Sequence, residues 1–134
     1  IYLDIDTSDE HYLTNLSWTP DEKYVLVAEV NREQNHVWYN RYNVKTGKKE
    51  NTLFEETSDK WTEPEFDAVF SPNSDTNFLW FSERDGFINL YEYNTASEFV
   101  KQLTNFKWVV TGILGFDKKI GKDCTLVFLF QIKN

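Results

Sequence analysis

The chain has 134 residues, room for one compact domain and too few for a large α/β enzyme scaffold carrying a full catalytic apparatus. Fourteen basic against twenty-two acidic side chains give a formal net charge of −8, the wrong sign for a surface that gathers phosphates, so nucleic acid is excluded as the expected partner. Aromatic residues reach 17%, with five Trp, seven Tyr and eleven Phe, whereas methionine is absent and Ile1 stands first; this is the composition expected of a segment cut from a longer chain.

Cys124 is the only cysteine, which leaves no intrachain disulfide and no cysteine-based zinc site. No apolar run approaches the roughly 18 residues of a membrane helix. The N-terminal residues Ile1, Tyr2, Leu3, Asp4, Ile5 and Asp6 lack the basic region of a signal peptide.

Aromatic and β-branched residues suit a pleated, half-buried surface, and here they come in short runs divided by turn residues, which predicts an all-β fold. Trp18-Thr19-Pro20-Asp21 reads as a strand end and turn, with Trp18 packing between sheets, Thr19 bonding to local backbone and Pro20 pre-setting φ. Residues 24–28 form a continuous apolar strand, and residues 37–42 answer it across the polar stretch 31–35 as a hairpin. Gly47 suits a positive-φ turn into a further strand at residues 51–54.

After a polar stretch the pattern returns. Phe70-Ser71-Pro72-Asn73 repeats the turn, residues 78–81 lead into Arg84-Asp85-Gly86, and strands follow at residues 87–93 and 99–103. Pro20 matches Pro72 at an offset of 52, Tyr42-Asn43 matches Tyr93-Asn94 at 51, and Leu53 matches Leu103 at 50. Strands at residues 109–116 and 125–130 begin a third copy. Repeats of roughly 40 to 50 residues with about four strands each are the mark of β-propeller blades. The expected architecture is therefore a partial β-propeller of about two four-stranded blades plus part of a third. The whole chain, 1–134, is one fragment, with approximate blades at 12–58 and 62–108 and an incomplete one at 109–134. A generic β-sandwich is the competing fold.

Little in the sequence can carry catalysis. None of the five glycines opens a Gly-x-Ser-x-Gly elbow, and His11 and His36 lie near no nucleophile in a recognisable context, so no catalytic residue is assigned. Glu55 and Glu56 point to opposite faces of an extended chain, and together with Glu63 and Glu65 they read as solvated carboxylates. No calcium-loop pattern is present, and neither metal nor cofactor is expected. Trp80 and Trp108 sit in or beside apolar runs and read as core. Trp61 differs, since the polar stretch 57–64 around it allows either packing between blades or contact with a ligand; packing is placed slightly ahead.

The run Tyr12 to Asp21, the stretch 31–35, Glu63-Pro64, the run Arg84 to Tyr93, Gln102-Leu103-Thr104 and Trp108-Val109-Val110 together resemble the N-terminal propeller region of bacterial dipeptidyl peptidase IV proteins. The resemblance covers nearly the whole chain, and the Arg-Asp-Gly-aromatic-x-x-Leu-Tyr run is its most specific part. It implies a parent serine peptidase of the prolyl oligopeptidase clan that removes Xaa-Pro or Xaa-Ala dipeptides from free N-termini. The family's catalytic triad belongs to a C-terminal α/β-hydrolase domain, which would be the chain's partner along with peptide substrates, and this chain contains no triad. The family's ammonium-gripping glutamate pair occurs in an Asp-Trp-x-Tyr-Glu-Glu setting that is absent here, so Glu55 and Glu56 do not inherit that role. The resemblance further implies substrate-facing side chains just before the Glu-Pro element, which points to Lys60 as cation, Trp61 as aromatic and Glu63 beside them, with cation and aromatic in reversed order. Residues 126–131 are more apolar than the family pattern. Bacterial members of the family are typically periplasmic or held in the cell envelope. A non-catalytic propeller that binds proteins, sugars or peptides in the periplasm is the alternative, and open blade edges imply self-association.

Overall fold

The computed structural model describes residues 1–118 and 124–131, with side chains described as far as Phe116. Ten strands make up the described structure: β1 (His11–Trp18), β2 (Tyr24–Asn31), β3 (His36–Asn43), β4 (Lys49–Thr57), β5 (Val69–Phe70), β6 (Asn77–Ser82), β7 (Asn89–Asn94), β8 (Phe99–Gln102), β9 (Val109–Lys118) and β10 (Cys124–Gln131). They form two four-stranded antiparallel meanders, β1-β2-β3-β4 and β5-β6-β7-β8, and a two-stranded sheet of β9 and β10. The all-β expectation of two four-stranded units and part of a third is met.

The repeat extends to individual hydrogen bonds. In the first turn of each meander, the Thr19 amide donates to the Tyr24 carbonyl and the Ser71 amide to the Asn77 carbonyl, at 3.0 and 3.1 Å. In the last turn, Asn43 Oδ1 accepts from the amides of Lys45 and Thr46, and Asn94 Oδ1 from those of Ala96 and Glu98. The asparagine side chain thus imitates a backbone turn at equivalent places. Positive φ follows each time, at Gly47 (73°) and Ser97 (68°).

Strand alternation sends one side of each sheet inward. Leu26, Ala28, Val30, Val37, Tyr39 and Leu53 of the first sheet meet Phe78, Trp80, Tyr91 and Tyr93 of the second in one core. Aromatic rings fill the seam: Phe54 stacks on Tyr93 at 4.3 Å, and Tyr39 lies 4.5 Å from Trp80. Such pairs add about 0.5–1.5 kcal/mol each beyond the area they bury. Leu79, Phe81 and Leu90 on the reverse of the second sheet pack with Val110 of β9. On the reverse of the first sheet, Val25, Val27 and Tyr42 are covered by Leu3 and Ile5 of the N-terminal segment.

Trp80 is core as expected, only 1% exposed, and half-buried Trp108 stacks on Phe106 at 4.8 Å. Trp18 is not packed between sheets: it is 47% exposed. A bulge between Thr14 and Ser17, where Asn15 takes φ 52°, turns Ser17 and Thr19 inward and Trp18 outward on this edge strand. Thr19 does hold the local backbone, its hydroxyl lying 3.1 Å from the Tyr24 carbonyl and donating at 2.7 Å to Asp21. The expected apolar strand at residues 126–131 falls within β10, whose side chains lie outside the described set.

Candidate functional site

Residues 58–68 link the two meanders and run along the edge of the seam between them. The link is pinned to the β2–β3 turn by the Ser58 amide on the Asn35 carbonyl (2.9 Å) and the Thr62 amide on the Gln34 carbonyl (2.6 Å). That turn is itself set by Asn31, whose Oδ1 accepts from the amides of Asn35 and His36, and by Gln34 at φ 54°.

Between the link and the β6–β7 turn lies a cleft of about 630 Å³, whose walls include Glu56, Lys60, Trp61, Glu83 and Arg84. A smaller cavity of about 60 Å³ adjoins it, with Glu63 and Trp80 joining Glu56, Trp61 and Glu83 in its lining. The structure sets Lys60 and Trp61 at the larger opening and Trp61 and Glu63 at the smaller, so that Trp61 is the residue of the three that both share. Trp61 is 62% exposed, so the preference for packing between blades is overturned: the link holds the ring at the cleft rim and the seam is already filled by Tyr39, Phe54 and Trp80. Across both openings five carboxylates, Glu56, Asp59, Glu63, Glu65 and Glu83, face two cations, Lys60 and Arg84.

Arg84 opens the most specific run of the family resemblance, but the sequence assigned it no place at the cleft. Its Nη2 donates to Glu56 Oε1 at 2.8 Å and to the Tyr93 hydroxyl, its Nε donates to Ser82 Oγ at 3.1 Å, and the guanidinium lies 4.0 Å from the Tyr91 ring centroid. Burial works to lower its pKa, but the bond to Tyr93 and the charge of Glu56 outweigh that and hold it above its ordinary value. Burial first, then the bond to Asp85, raises the Tyr91 hydroxyl well above its ordinary value of 10.0. The Tyr91 hydroxyl donates to Asp85 Oδ2, to which Gln102 Nε2 also donates at 3.3 Å. The available signals were that Arg84-Asp85-Gly86 run itself and the same-face spacing of Tyr91 and Tyr93 behind it.

Glu55 and Glu56 diverge across the strand as expected, yet neither is merely solvated. Glu55 pairs with His36 at 2.9 Å on the outer face, and Glu56 meets Arg84 on the seam. Both histidines of the chain stack on Trp38, His36 at 3.8 Å and His11 at 5.3 Å. Glu29, 6% exposed, accepts through Oε1 from Asn40 Nδ2 at 2.7 Å and from the Tyr42 hydroxyl, a buried carboxylate with a structural part. Among the described residues no group of three or more His, Cys, Asp or Glu is placed to hold a metal ion, and no helix is long and apolar enough to cross a membrane.

Comparison with known proteins gives this cleft its setting. The family model described as the dipeptidyl peptidase IV (DPP IV) N-terminal region matches residues 2–123. A provisionally assigned dipeptidyl aminopeptidase IV from Bacteroides ovatus superposes with a TM-score of 0.83 at 38% identity, over 87% of this chain and 19% of that one. Porphyromonas gingivalis dipeptidyl peptidase 4 has the same fold, with a TM-score of 0.69 at 21% identity over 87% of this chain and 16% of its own. The chain thus spans less than a fifth of the length of either protein.

Proposed function

Because the chain belongs to the dipeptidyl peptidase IV N-terminal region family, we propose that it is the non-catalytic propeller segment of a serine peptidase that removes Xaa-Pro dipeptides from peptide N-termini. In this reading a C-terminal α/β-hydrolase domain supplies the nucleophile and the triad. The blades span 12–58, 62–108 and, in part, 109–134. The parent resides in the bacterial periplasm or cell envelope, and the isolated segment self-associates through its open edges.

What supports the reading is the place of Trp61 at both openings beside the link, with Lys60 at the larger and Glu63 at the smaller. An exposed indole offers a flat apolar wall to a peptide side chain, and the charged groups around it offer hydrogen bonds of both senses. Binding energy gathered away from the scissile bond orients a substrate for chemistry elsewhere. The segment would therefore position peptides while leaving bond cleavage to the hydrolase domain.

Two assays test this. The full-length parent should release chromophore from a Gly-Pro-chromogen, whereas the 134-residue segment alone should show no turnover. A full-length protein without that activity would defeat the peptidase reading. The exposed Trp61 favours one alternative, a propeller that binds sugars or peptides without cleavage in its parent; saturable binding by an inactive full-length protein, lost in Trp61→Ala, would establish it instead.

A further inference from the structure

Among the described residues, one ion pair joins the two four-stranded sheets, Arg84 to Glu56. The others, Lys23–Asp21, Arg32–Glu10 and Lys101–Glu92, stay within one sheet and its flanking segments, as do the histidine–carboxylate contacts His11–Glu29 and His36–Glu55. Arg84 is also unusually constrained, because Glu56, Tyr93, Ser82 and the Tyr91 ring fix the guanidinium in both position and plane.

The contacts continue beyond it. Tyr91 and Gln102 donate to Asp85, the neighbour of Arg84, and Gln102 Nε2 also donates at 2.8 Å to the Thr104 carbonyl. Thr104 Oγ1 donates to Asn89 Oδ1 at 2.8 Å, and Asn89 engages both backbone groups of Phe106, at 3.0 and 3.1 Å. Phe106 stands on the approach to β9. A polar thread therefore runs from β4 of the first sheet, through the Arg84-Asp85 turn, to the start of the third.

We propose that Arg84 is the positioning residue of the cleft. By pinning Glu56 to Tyr91 and Tyr93 it fixes the spacing of the first two sheets at the place where Lys60 and Trp61 stand. Through Asp85 it ties that spacing to the approach to β9. The geometry stands independently of the cleft's role; only the consequence for peptides rests on the function proposed above.

Lysine is the discriminating replacement. It keeps the charge that compensates Glu56, but an ammonium cannot donate to Ser82, Glu56 and Tyr93 while lying flat on Tyr91. The experiment uses the full-length parent with Arg84→Lys, Arg84→Gln or Tyr93→Phe, each made with and without Trp61→Phe. The difference in acrylamide quenching between each protein and its Trp61→Phe counterpart isolates the Trp61 signal. That signal should shift in all three variants at temperatures where the fold is intact. A cycle of Arg84→Lys with Glu56→Gln should be non-additive by about tenfold in the folding equilibrium constant.

Wild-type quenching of Trp61 in Arg84→Lys, together with an additive cycle, would overturn the proposal, since a point charge would then suffice. Tyr93→Phe removes a single hydroxyl and remains informative if a change at Arg84 prevents folding. In the full-length parent, Arg84→Lys should raise KM for an Xaa-Pro substrate and leave kcat unchanged. A shifted Trp61 signal with an unchanged KM would refute the peptide contact and uphold the positioning; a raised KM with an unshifted signal would do the reverse.

Discussion

Gly47→Ala probes how the N-terminal segment is fastened to the first sheet. Gly47 has φ 73°, and its carbonyl accepts the Asp4 amide at 2.7 Å. A methyl group there would stand 2.2 Å from the Tyr2 carbonyl oxygen, inside any tolerable contact, so the segment must move. The left-handed conformation alone costs an L-residue about 1–2 kcal/mol. Displacing the segment forfeits a backbone hydrogen bond of about 1 kcal/mol. It also exposes Leu3 and Ile5, half-buried against Val25, Val27 and Tyr42, at roughly 1 kcal/mol each on area grounds. Freed backbone entropy returns part of this sum, which leaves an expected loss of about 2–3 kcal/mol. Urea unfolding reads it as a lowered midpoint with little change in slope. The same substitution in a chain lacking residues 1–10 should cost only about 1–2 kcal/mol, the backbone contribution. Equal losses in the two backgrounds would refute the reasoning, because the clash with Tyr2 would then carry no energy.

Trp61→Ala should leave folding stability within about 0.5 kcal/mol of wild type, as expected of an exposed side chain, while weakening peptide binding; a large loss of stability measured by urea unfolding would return Trp61 to the core. The Thr19 hydroxyl and then the Lys23 amide hold Asp21 below its ordinary pKa of 3.8, so its contribution is present above that value and lost as pH falls through the folded one. Asp21→Asn should accordingly flatten the acid limb of a stability-against-pH curve, by a small amount because the group is exposed. Burial leads the causes that raise Tyr39, Tyr42 and Tyr91 above 10.0, so their contribution is complete below pH 10 and lost as pH rises through the folded values. Their phenolate absorbance at high pH should appear together with unfolding, and a titration of these three that precedes loss of the β circular dichroism signal would contradict their burial.

Much of the fold was legible because its elements are local. Residues 24–28, 37–42 and 78–81 carry enough consecutive apolar and aromatic side chains to specify strands whatever surrounds them. The anchors Asn43 and Asn94, recognised only as a matching pair, prove to organise the same turn by the same side-chain bonds. That Lys60, Trp61 and Glu63 are neighbours on one link was likewise within reach, since the three lie within four residues, but their division between two openings was not. Arg84 and Glu56 are separated by 28 positions and by a change of sheet, and no local pattern connects them.

The sequence by itself determined the class of strand, the repeat and the turn chemistry, because propensity, period-two alternation and asparagine caps act over a few residues. Local pattern marked Trp80 as core, but only tertiary structure decided the exposure of Trp18 and Trp61. Trp18, Trp61 and Trp80 are chemically the same residue, yet a bulge turns the first outward, the link leaves the second on a rim, and only the third meets a facing sheet. Burial is a property of two surfaces brought together, and the second surface is supplied by residues distant along the chain. The seam where Arg84 meets Glu56 has the same origin, which is why the cleft took its form only once the sheets were packed.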